Sequence, residues 1–302
     1  MSVVELEARD VALETPSTGL WSDAWYRLRH NPGAIAGFVI VSAIIVVAIF
    51  APLLAPHDPR AQNLSLLKEG CCPGPTADYP FGVDELGRDE LSRVIYGARF
   101  SLLIGVVSVT VGFVLGSFLG AISGFFGGVI DSVIMRIVDI WLTIPGFLMA
   151  IGIVAMLGPG LWQIMIAIGI INVPLFARLL RGAVLAQREN DFVLAARAVG
   201  VPRRLILGTH ILPNAISPVI VQGTLALATA IIDAAGLGFL GLGPQDPSTP
   251  EWGTMLTNTV RFLQTAPHLA IIPGVAIVIT AISINLIGDG LREALDPKLR
   301  SG

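Results

Sequence analysis

The amino-acid sequence predicts an all-α membrane protein with six transmembrane helices and a cytoplasmic two-helix element between spans four and five. Its 302 residues are 54% hydrophobic and only 14% charged, with a mean hydropathy of +0.77. Ordinary soluble domains are far less apolar. The apolar residues also gather into uncharged stretches of about 20 residues or more, the length that a helix needs to cross about 30 Å of hydrocarbon.

Five uncharged or nearly uncharged stretches provide the six spans. They are residues 31–56, 100–130, 140–177, 211–243 and 269–288. The stretch 140–177 is too long for one crossing and contains Gly158, Pro159 and Gly160 in its middle. It therefore predicts a tight helical hairpin that forms spans three and four, with its first arm starting near Ser132.

The spans divide the chain into five regions. These are a cytoplasmic N-terminal region (1–30), the first transmembrane helix (31–56), an external loop with an amphipathic helix (57–99), a core of five spans (100–288) and a cytoplasmic tail (289–302). Lys and Arg favour the cytoplasmic side of a membrane. With the N-terminus inside, thirteen of the nineteen fall inside, so both termini are predicted to be cytoplasmic.

The segment before the second span is predicted to be a helix lying on the membrane surface. In "RDELSRVIYGARFSLLIG", the apolar residues recur at helical spacing, whereas Arg88, Ser92 and Arg99 fall elsewhere around the helix. The second span then has glycine at every fourth position: Gly112, Gly116, Gly120, Gly124 and Gly128. This ridge predicts close packing against another helix, either in this chain or in a second one.

Residues that perform catalysis or bind metals are not predicted. A P-loop needs a lysine after a glycine, but Lys68 and Lys298, the only two lysines, do not follow one, so this chain is not expected to hydrolyse ATP. The four histidines show no metal-binding spacing. Cys71 and Cys72 are adjacent, a separation that rarely suits a disulfide, and are predicted to be incidental loop cysteines.

The segment "DFVLAARAVGVPRRLILGTHILPNA" (191–215) is amphipathic and lies between long apolar stretches. Phe192, Ala195, Ala196 and Val199 share one helical face. Gly200 suits the left-handed residue that ends a helix, and a second short helix is expected to run to Pro213. Arg203 and Arg204 begin that second helix, where its dipole opposes cations by about 0.3 kcal/mol or more each. These two arginines serve either to keep this segment on the cytoplasmic side of the membrane or to contact an acidic surface of a partner protein.

These residues resemble a known motif. "AARAVG" followed by "ILPNA" is similar to the EAA motif of bacterial importer permeases of the ATP-binding cassette superfamily, although Leu194 stands where a glutamate is common. In that family, the motif couples the permease to a separate ATPase. Five residues match the motif, and the resemblance implies that they take part in ATPase coupling: Ala195, Ala196, Gly200, Leu212 and Pro213. Val201, Arg203 and Arg204, which lie between them in the same segment, are predicted to contribute to the same coupling.

Three further stretches narrow the resemblance. They are "FGVDELGRDELSRVIYGARFSLLIG" (81–105), "GFLGLGPQDPSTPEWGTML" (238–256) and "NLIGDGLREALDPKLR" (285–300). They resemble the dipeptide, oligopeptide and nickel permeases, in particular the subunit type with a short first external loop, to which "WSDAWYRLRHNPGAIAGF" (21–38) is also similar.

This resemblance implies a location in the bacterial inner membrane and a set of partners. The partners are a homologous permease subunit, two ATPase subunits or domains that hold ATP and Mg, an extracytoplasmic substrate-binding protein and a peptide substrate. No cofactor, metal or nucleic acid is expected on this chain. Nickel chelates and glutathione remain alternative substrates. A secondary peptide carrier is the alternative from another class, but no internal repeat supports it.

Charged residues inside spans are costly and need an explanation. Asp233 interrupts the fifth span with no cation near it in sequence. It either takes part in the translocation path or gate, or accepts a structural hydrogen bond from another helix. Arg136 and Asp139 are three residues apart on one helix and are predicted to form a local pair.

Overall fold

The structure is a computed structural model that describes residues 25–67, 71–246, 248–257 and 259–295. Most of the predicted N-terminal region 1–30, half of the tail 289–302 and both lysines lie outside the described residues. The described part is helical and contains no β-strand. The principal helices are α1 (Pro32–Ile49), α2 (Ala51–Leu54), α3 (Glu90–Phe126), α4 (Gly128–Leu142), α5 (Gly146–Leu157), α6 (Leu161–Arg188), α7 (Asp191–Ala198), α8 (Arg203–Leu205), α9 (Leu212–Ala215), α10 (Ser217–Leu237), α11 (Trp252–Thr257) and α12 (His268–Leu295).

Five helices are long and apolar enough to cross a membrane individually: α1, α3, α6, α10 with its extension to Leu242, and α12. The bent pair α4 and α5 supplies the sixth span. The predicted all-α class with six spans is therefore confirmed. The α5–α6 connection at Gly158–Gly160 is the predicted hairpin turn, since α5 ends at Leu157 and α6 begins at Leu161.

The first arm of the hairpin differs from the prediction because it is not one straight helix. The axes of α4 and α5 differ by 89° across a break of three residues, 143–145. Pro145 has no N–H to continue the hydrogen-bond ladder, and α5 starts after it. Asp139 forms an ion pair with Arg178 on α6, at 2.6 Å, and not the predicted pair with Arg136. Arg178 on the neighbouring helix α6 therefore takes the place of Arg136, which is on the same helix as Asp139, as the cation that pairs with Asp139.

Helix α3 also differs from the prediction. The expected boundary at Phe100 is absent, because one helix runs for 37 residues from Glu90 to Phe126. At about 1.5 Å per residue, it is roughly 55 Å long and extends well beyond the hydrocarbon. Its first turn is buried within the protein, since Arg93 is only 4% exposed and contacts Asp84 and Pro59 of the preceding loop. Asp89 caps this end by accepting the backbone N–H of Ser92.

The glycine ridge of α3 packs against α6 of the same chain. A Cβ added at Gly112 would lie 2.7 Å from the Asn172 Cβ, and one added at Gly116 would lie 2.6 Å from the Phe176 Cβ. Gly120 and Gly124 similarly contact the α6 backbone. The two helices therefore approach closely only because these side chains are absent. Gly128 lies outside the ridge, since it starts α4 and has open space around it.

The first span is attached to the core at both ends. Asn31 caps α1 by accepting the N–H of Ala34, and its side chain donates to Glu293 on α12 at 2.7 Å. At the other end, the Arg99 guanidinium donates to the backbone carbonyls of Ala48 and Ile49. A cation at a helix C-terminus is favourable, because the carbonyls there lack partners.

The two cysteines lie in a sharp turn of the loop after α1. Cys71 has a φ of 79° and Cys72 a φ of 20°. Cys72 is buried against Ala266 and Leu269 near the start of α12. This turn thus forms part of the contact between the loop after α1 and the last span.

Candidate functional site

Helix α7 ends as the sequence predicts. Gly200 has a φ of +81°, its N–H donates to the Arg197 carbonyl, and the N–H of Val201 donates to the Ala196 carbonyl, both at 3.0 Å. These two bonds form a Schellman motif, which requires a left-handed residue at its turn. Gly200 is therefore needed for its backbone conformation. A Cβ there would meet nothing within 4 Å.

The second half of the segment differs from the prediction, because its helical backbone does not end at Pro213. It starts at Arg203 and widens into a π-helix over Ile206–Ile211 before entering α9. The N–H of Leu212 bonds to Leu207, five residues back. The wider turn tolerates Pro213, which has no N–H and sits in the first turn of α9. Only Ile216 separates α9 from α10.

The predicted apolar face of α7 divides into buried and exposed residues. Ala196 is buried together with Val193, Ile206 and Ile211, which attach the segment to the core that includes α6. Phe192, Ala195 and Val199 are exposed, and we call these three residues the exposed α7 face. Val199 is 79% and Phe192 41% exposed. The segment therefore keeps an apolar face that this chain does not cover.

The remaining predicted coupling residues follow α7 in the same segment. Arg203, Arg204 and Pro213 are exposed, whereas Val201 and Leu212 are half-buried. The segment lies at the Phe126 end of α3, since Arg188, three residues before α7, donates to the carbonyls of Gly124 and Phe125. The structure thus brings the eight predicted residues together in one element at one end of the helical core.

Asp233 lies on α10, far from that element. It is half-buried, and among the described residues its carboxylate forms no hydrogen bond or ion pair. The predicted alternative, a hydrogen bond from another helix, is therefore not observed in the described part of this chain. The exposed residues Thr229 and Ile232 lie beside it on α10, and Gly236, one turn further, faces the ring of Phe147 on α5.

A polar cluster that the sequence did not predict occupies the opposite end of α3. We define it as Asp84, Arg88, Asp89, Glu90 and Arg93, all at least nine-tenths buried. Asp84 binds Arg88 at 2.6 Å and Arg93 at 3.4 Å, and also accepts two backbone N–H groups. The "DELGRDELSR" sequence (84–93) contains all five residues, but a run of mixed charges is equally typical of an exposed helix, so the sequence alone does not predict their burial.

Glu251 is a second buried acid that the sequence analysis missed. It is 1% exposed and accepts the N–H groups of Gly253 and Thr254, each at 2.8 Å, at the start of α11. Burial raises the pKa of the Glu251 carboxyl, and these hydrogen bonds oppose the rise. Its neighbour Trp252 donates from Nε1 to the Val94 carbonyl at 3.0 Å. The Trp252 bond attaches the segment before α12 to the side of α3.

Within the ranges that the structure describes, no group of three or more His, Cys, Asp or Glu side chains is arranged to hold a metal ion. The features that need explanation are an uncovered apolar face, an unpaired acid within a span and a buried polar cluster.

Comparison with known proteins agrees with this description. Residues 112–301 match the model of the family described as "Binding-protein-dependent transport system inner membrane component". Residues 19–68 match the "N-terminal TM domain of oligopeptide transport permease C". A chain of the inward-facing MetNI methionine ABC transporter shares the fold, with a TM-score of 0.56 and 22% identity over 67% of this chain and 96% of that chain.

Full-length relatives are also similar. The chain is 47% identical to the dipeptide transport system permease protein of Alkalihalophilus pseudofirmus, over 93% of this chain and 91% of the relative. It is 44% identical to the di/tripeptide transport system permease protein of Pseudomonas aeruginosa, over 97% of each. It is likewise 44% identical to the glutathione transport system permease protein of Escherichia coli O157:H7, over 93% of this chain and 91% of the relative.

Fold, motifs and comparisons together define a multi-pass inner-membrane permease subunit of an ATP-binding cassette importer. The chain belongs to the family of binding-protein-dependent transport system inner membrane components. The resemblance read from the motifs is thereby confirmed.

Proposed function

We propose that this permease carries dipeptides or short oligopeptides, with both termini in the cytoplasm. The dipeptide and di/tripeptide permeases among its relatives support this substrate class. The glutathione permease supports the alternative that the chain carries glutathione, itself a modified tripeptide. Nickel chelates, which the motifs alone left open, have no support among these relatives.

We propose further that ATP is hydrolysed by two separate subunits, that a homologous permease completes the pathway and that an external binding protein delivers the substrate. The observation that carries the coupling role is the exposed α7 face. Phe192 and Val199 project from an element that is otherwise firmly attached to the core. An apolar patch beside Arg203 and Arg204 suits a partner with an apolar groove and an acidic rim.

The first experiment reconstitutes the chain in lipid with its copurifying partners. ATP-driven uptake of a di- to hexapeptide pool is compared with uptake of glutathione and of chelated nickel. Peptide uptake that requires ATP is expected. Uptake of glutathione alone would show that glutathione, and not other short peptides, is the substrate. Uptake of any solute without ATP would contradict the coupling role of the 191–215 segment.

Gly200→Val tests the coupling segment within the same assay. A β-branched residue at a φ of +81° is strongly disfavoured, so the α7 turn should rearrange and uptake should fall by at least about tenfold. Gly208→Val is the matched control, because Gly208 also has open space around it but no positive φ. Equal loss in both variants would show that the turn has no special role.

Asp233 is proposed to line the translocation path, because its carboxylate is half-buried and unpaired within the described chain. Asp233→Asn keeps the size of the side chain and removes its charge. We expect the maximal rate of uptake to fall by about tenfold, while the ATPase subunits remain bound in pull-down. Unchanged uptake would exclude Asp233 from the path.

A further inference from the structure

A cavity of about 350 Å³ lies between the start of α3 and the segment that leads to α11. Glu90 and Arg93 line one wall, and Gln245, Asp246 and Thr254 line the other. This volume is at the lower end of the range for small-molecule sites. In the proposed orientation, the cavity lies on the outer side of the membrane, where substrate arrives.

Glu90 is the unusual member of this lining. It is only 2% exposed, yet among the described residues its carboxylate accepts no hydrogen bond and joins no salt bridge. Two other buried acids nearby are satisfied, since Asp84 binds two guanidinium groups and Glu251 accepts two backbone N–H groups. Asp89 accepts hydrogen bonds through Oδ2, whereas its Oδ1 has no hydrogen-bond partner among the described residues. A buried carboxylate without donors is costly, so a ligand that supplies donors would be favoured in this position.

The opposite wall supplies a hydrogen-bond acceptor. Gln245 donates its side-chain N–H groups to the carbonyls of Gly241 and Gly243, which leaves its amide oxygen as an acceptor. The described residues do not provide the set of three ligands that a metal ion needs. The cavity lining holds four carboxyl groups, from Asp84, Glu85, Glu90 and Asp246, and two guanidinium groups, from Arg88 and Arg93. Because the carboxyl groups outnumber the guanidinium groups and Gln245 adds a neutral acceptor, the cavity suits a primary ammonium group, which carries a single positive charge and three donors.

We infer that this cavity receives the α-ammonium group of a peptide, with the carboxyl group of Glu90 as its acceptor. The inference rests on the proposed peptide transport and adds to it a site on this subunit, separate from the binding protein. The cavity accommodates an amino terminus and its first residue. It would therefore favour peptides with a free amine regardless of the remaining sequence.

Photolabelling of the complete transporter in lipid nanodiscs tests this inference. The probe is an alanyl dipeptide with a diazirine in its second side chain, used with a free or an acetylated amino terminus. Labelled residues are mapped by mass spectrometry. The free-amine probe is expected to label residues 81–93 and 241–257, and Glu90→Gln should reduce this labelling by about tenfold, to the level of the acetylated probe. Asp78→Asn, which removes an exposed charge from the same loop, should leave it unchanged.

Three results would overturn the inference. They are equal labelling of wild type and Glu90→Gln, equal labelling by the free and acetylated probes, and labelling confined to other segments. If Glu90→Gln lowers the melting temperature and reduces labelling by both probes equally, Glu90 has only a structural role. The same preparation is assayed for ATP-driven uptake. Absence of peptide uptake by the wild type would reject the proposed function, whereas normal uptake with unselective labelling would reject only this site.

Discussion

The 191–215 segment and the polar cluster lie at opposite ends of α3 and differ in what they bury. In the segment, Val199 is 79% exposed although it is apolar, while the basic residues beside it face outward as well. In the cluster, Arg93 is 4% and Asp84 7% exposed although both are charged. The cluster largely satisfies its charges within the chain, whereas the segment leaves its apolar face uncovered. The difference indicates that the polar cluster stabilises its own end of the protein, whereas the end with the 191–215 segment is completed by another subunit.

The largest effect is expected from Asp84→Ala. Arg88 and Arg93 would each lose the carboxylate that binds them in a buried environment. Removal of one partner from a buried ion pair costs about 3–5 kcal/mol. Thermal unfolding of the purified protein in detergent should show this as a large fall in the transition temperature.

Asp78→Ala is the control for Asp84→Ala, because Asp78 is an exposed acid in the same loop. It should change the stability by less than about 0.5 kcal/mol. Similar transition temperatures for the two variants would mean that the polar cluster does not stabilise this end of the molecule, and the contrast between the two ends of α3 would then fail.

The sequence predicted the features that follow from local periodicity. Uncharged length located the spans, and Gly200 marked the end of α7 because only a left-handed residue closes a Schellman motif there. Features that depend on tertiary contacts were not predictable. The burial of Arg93 requires a loop to fold over α3, and the pairing of Asp139 with Arg178 requires α4 and α6 to be neighbours.

Val199→Asp should have a smaller effect, and one of a different kind. Val199 is exposed, so the stability of the isolated permease should change by less than about 0.5 kcal/mol. If the exposed α7 face is buried in the interface with an ATPase subunit, a charge there should weaken assembly by about 2 kcal/mol, roughly thirtyfold in affinity. Pull-down of the ATPase subunits and ATP-driven uptake measure this loss.

Leu64→Asp provides the matched control for Val199→Asp. Leu64 is an apolar residue of similar exposure, 61%, in the loop between α1 and α3. It lies in the part of the chain that is proposed to face outward, so ATPase assembly should not change. Loss of assembly in the Leu64 variant, or normal assembly in the Val199 variant, would contradict the assignment of the interface.

The smallest effect is expected from Arg203→Ala and Arg204→Ala. Both side chains are exposed at the start of α8, where the helix dipole slightly disfavours them, so neither variant should lose stability. If they contact an acidic rim of the ATPase, each substitution should weaken association by about threefold at low salt and by less at 0.5 M salt, because exposed charges are screened. Titration of the ATPase subunit at two salt concentrations measures both quantities. A threefold loss of affinity that is independent of salt would indicate that the arginine side chains pack against the ATPase instead of pairing with its acids. No loss of affinity at either salt concentration would mean that the two arginines serve only to keep the segment on the cytoplasmic side of the membrane.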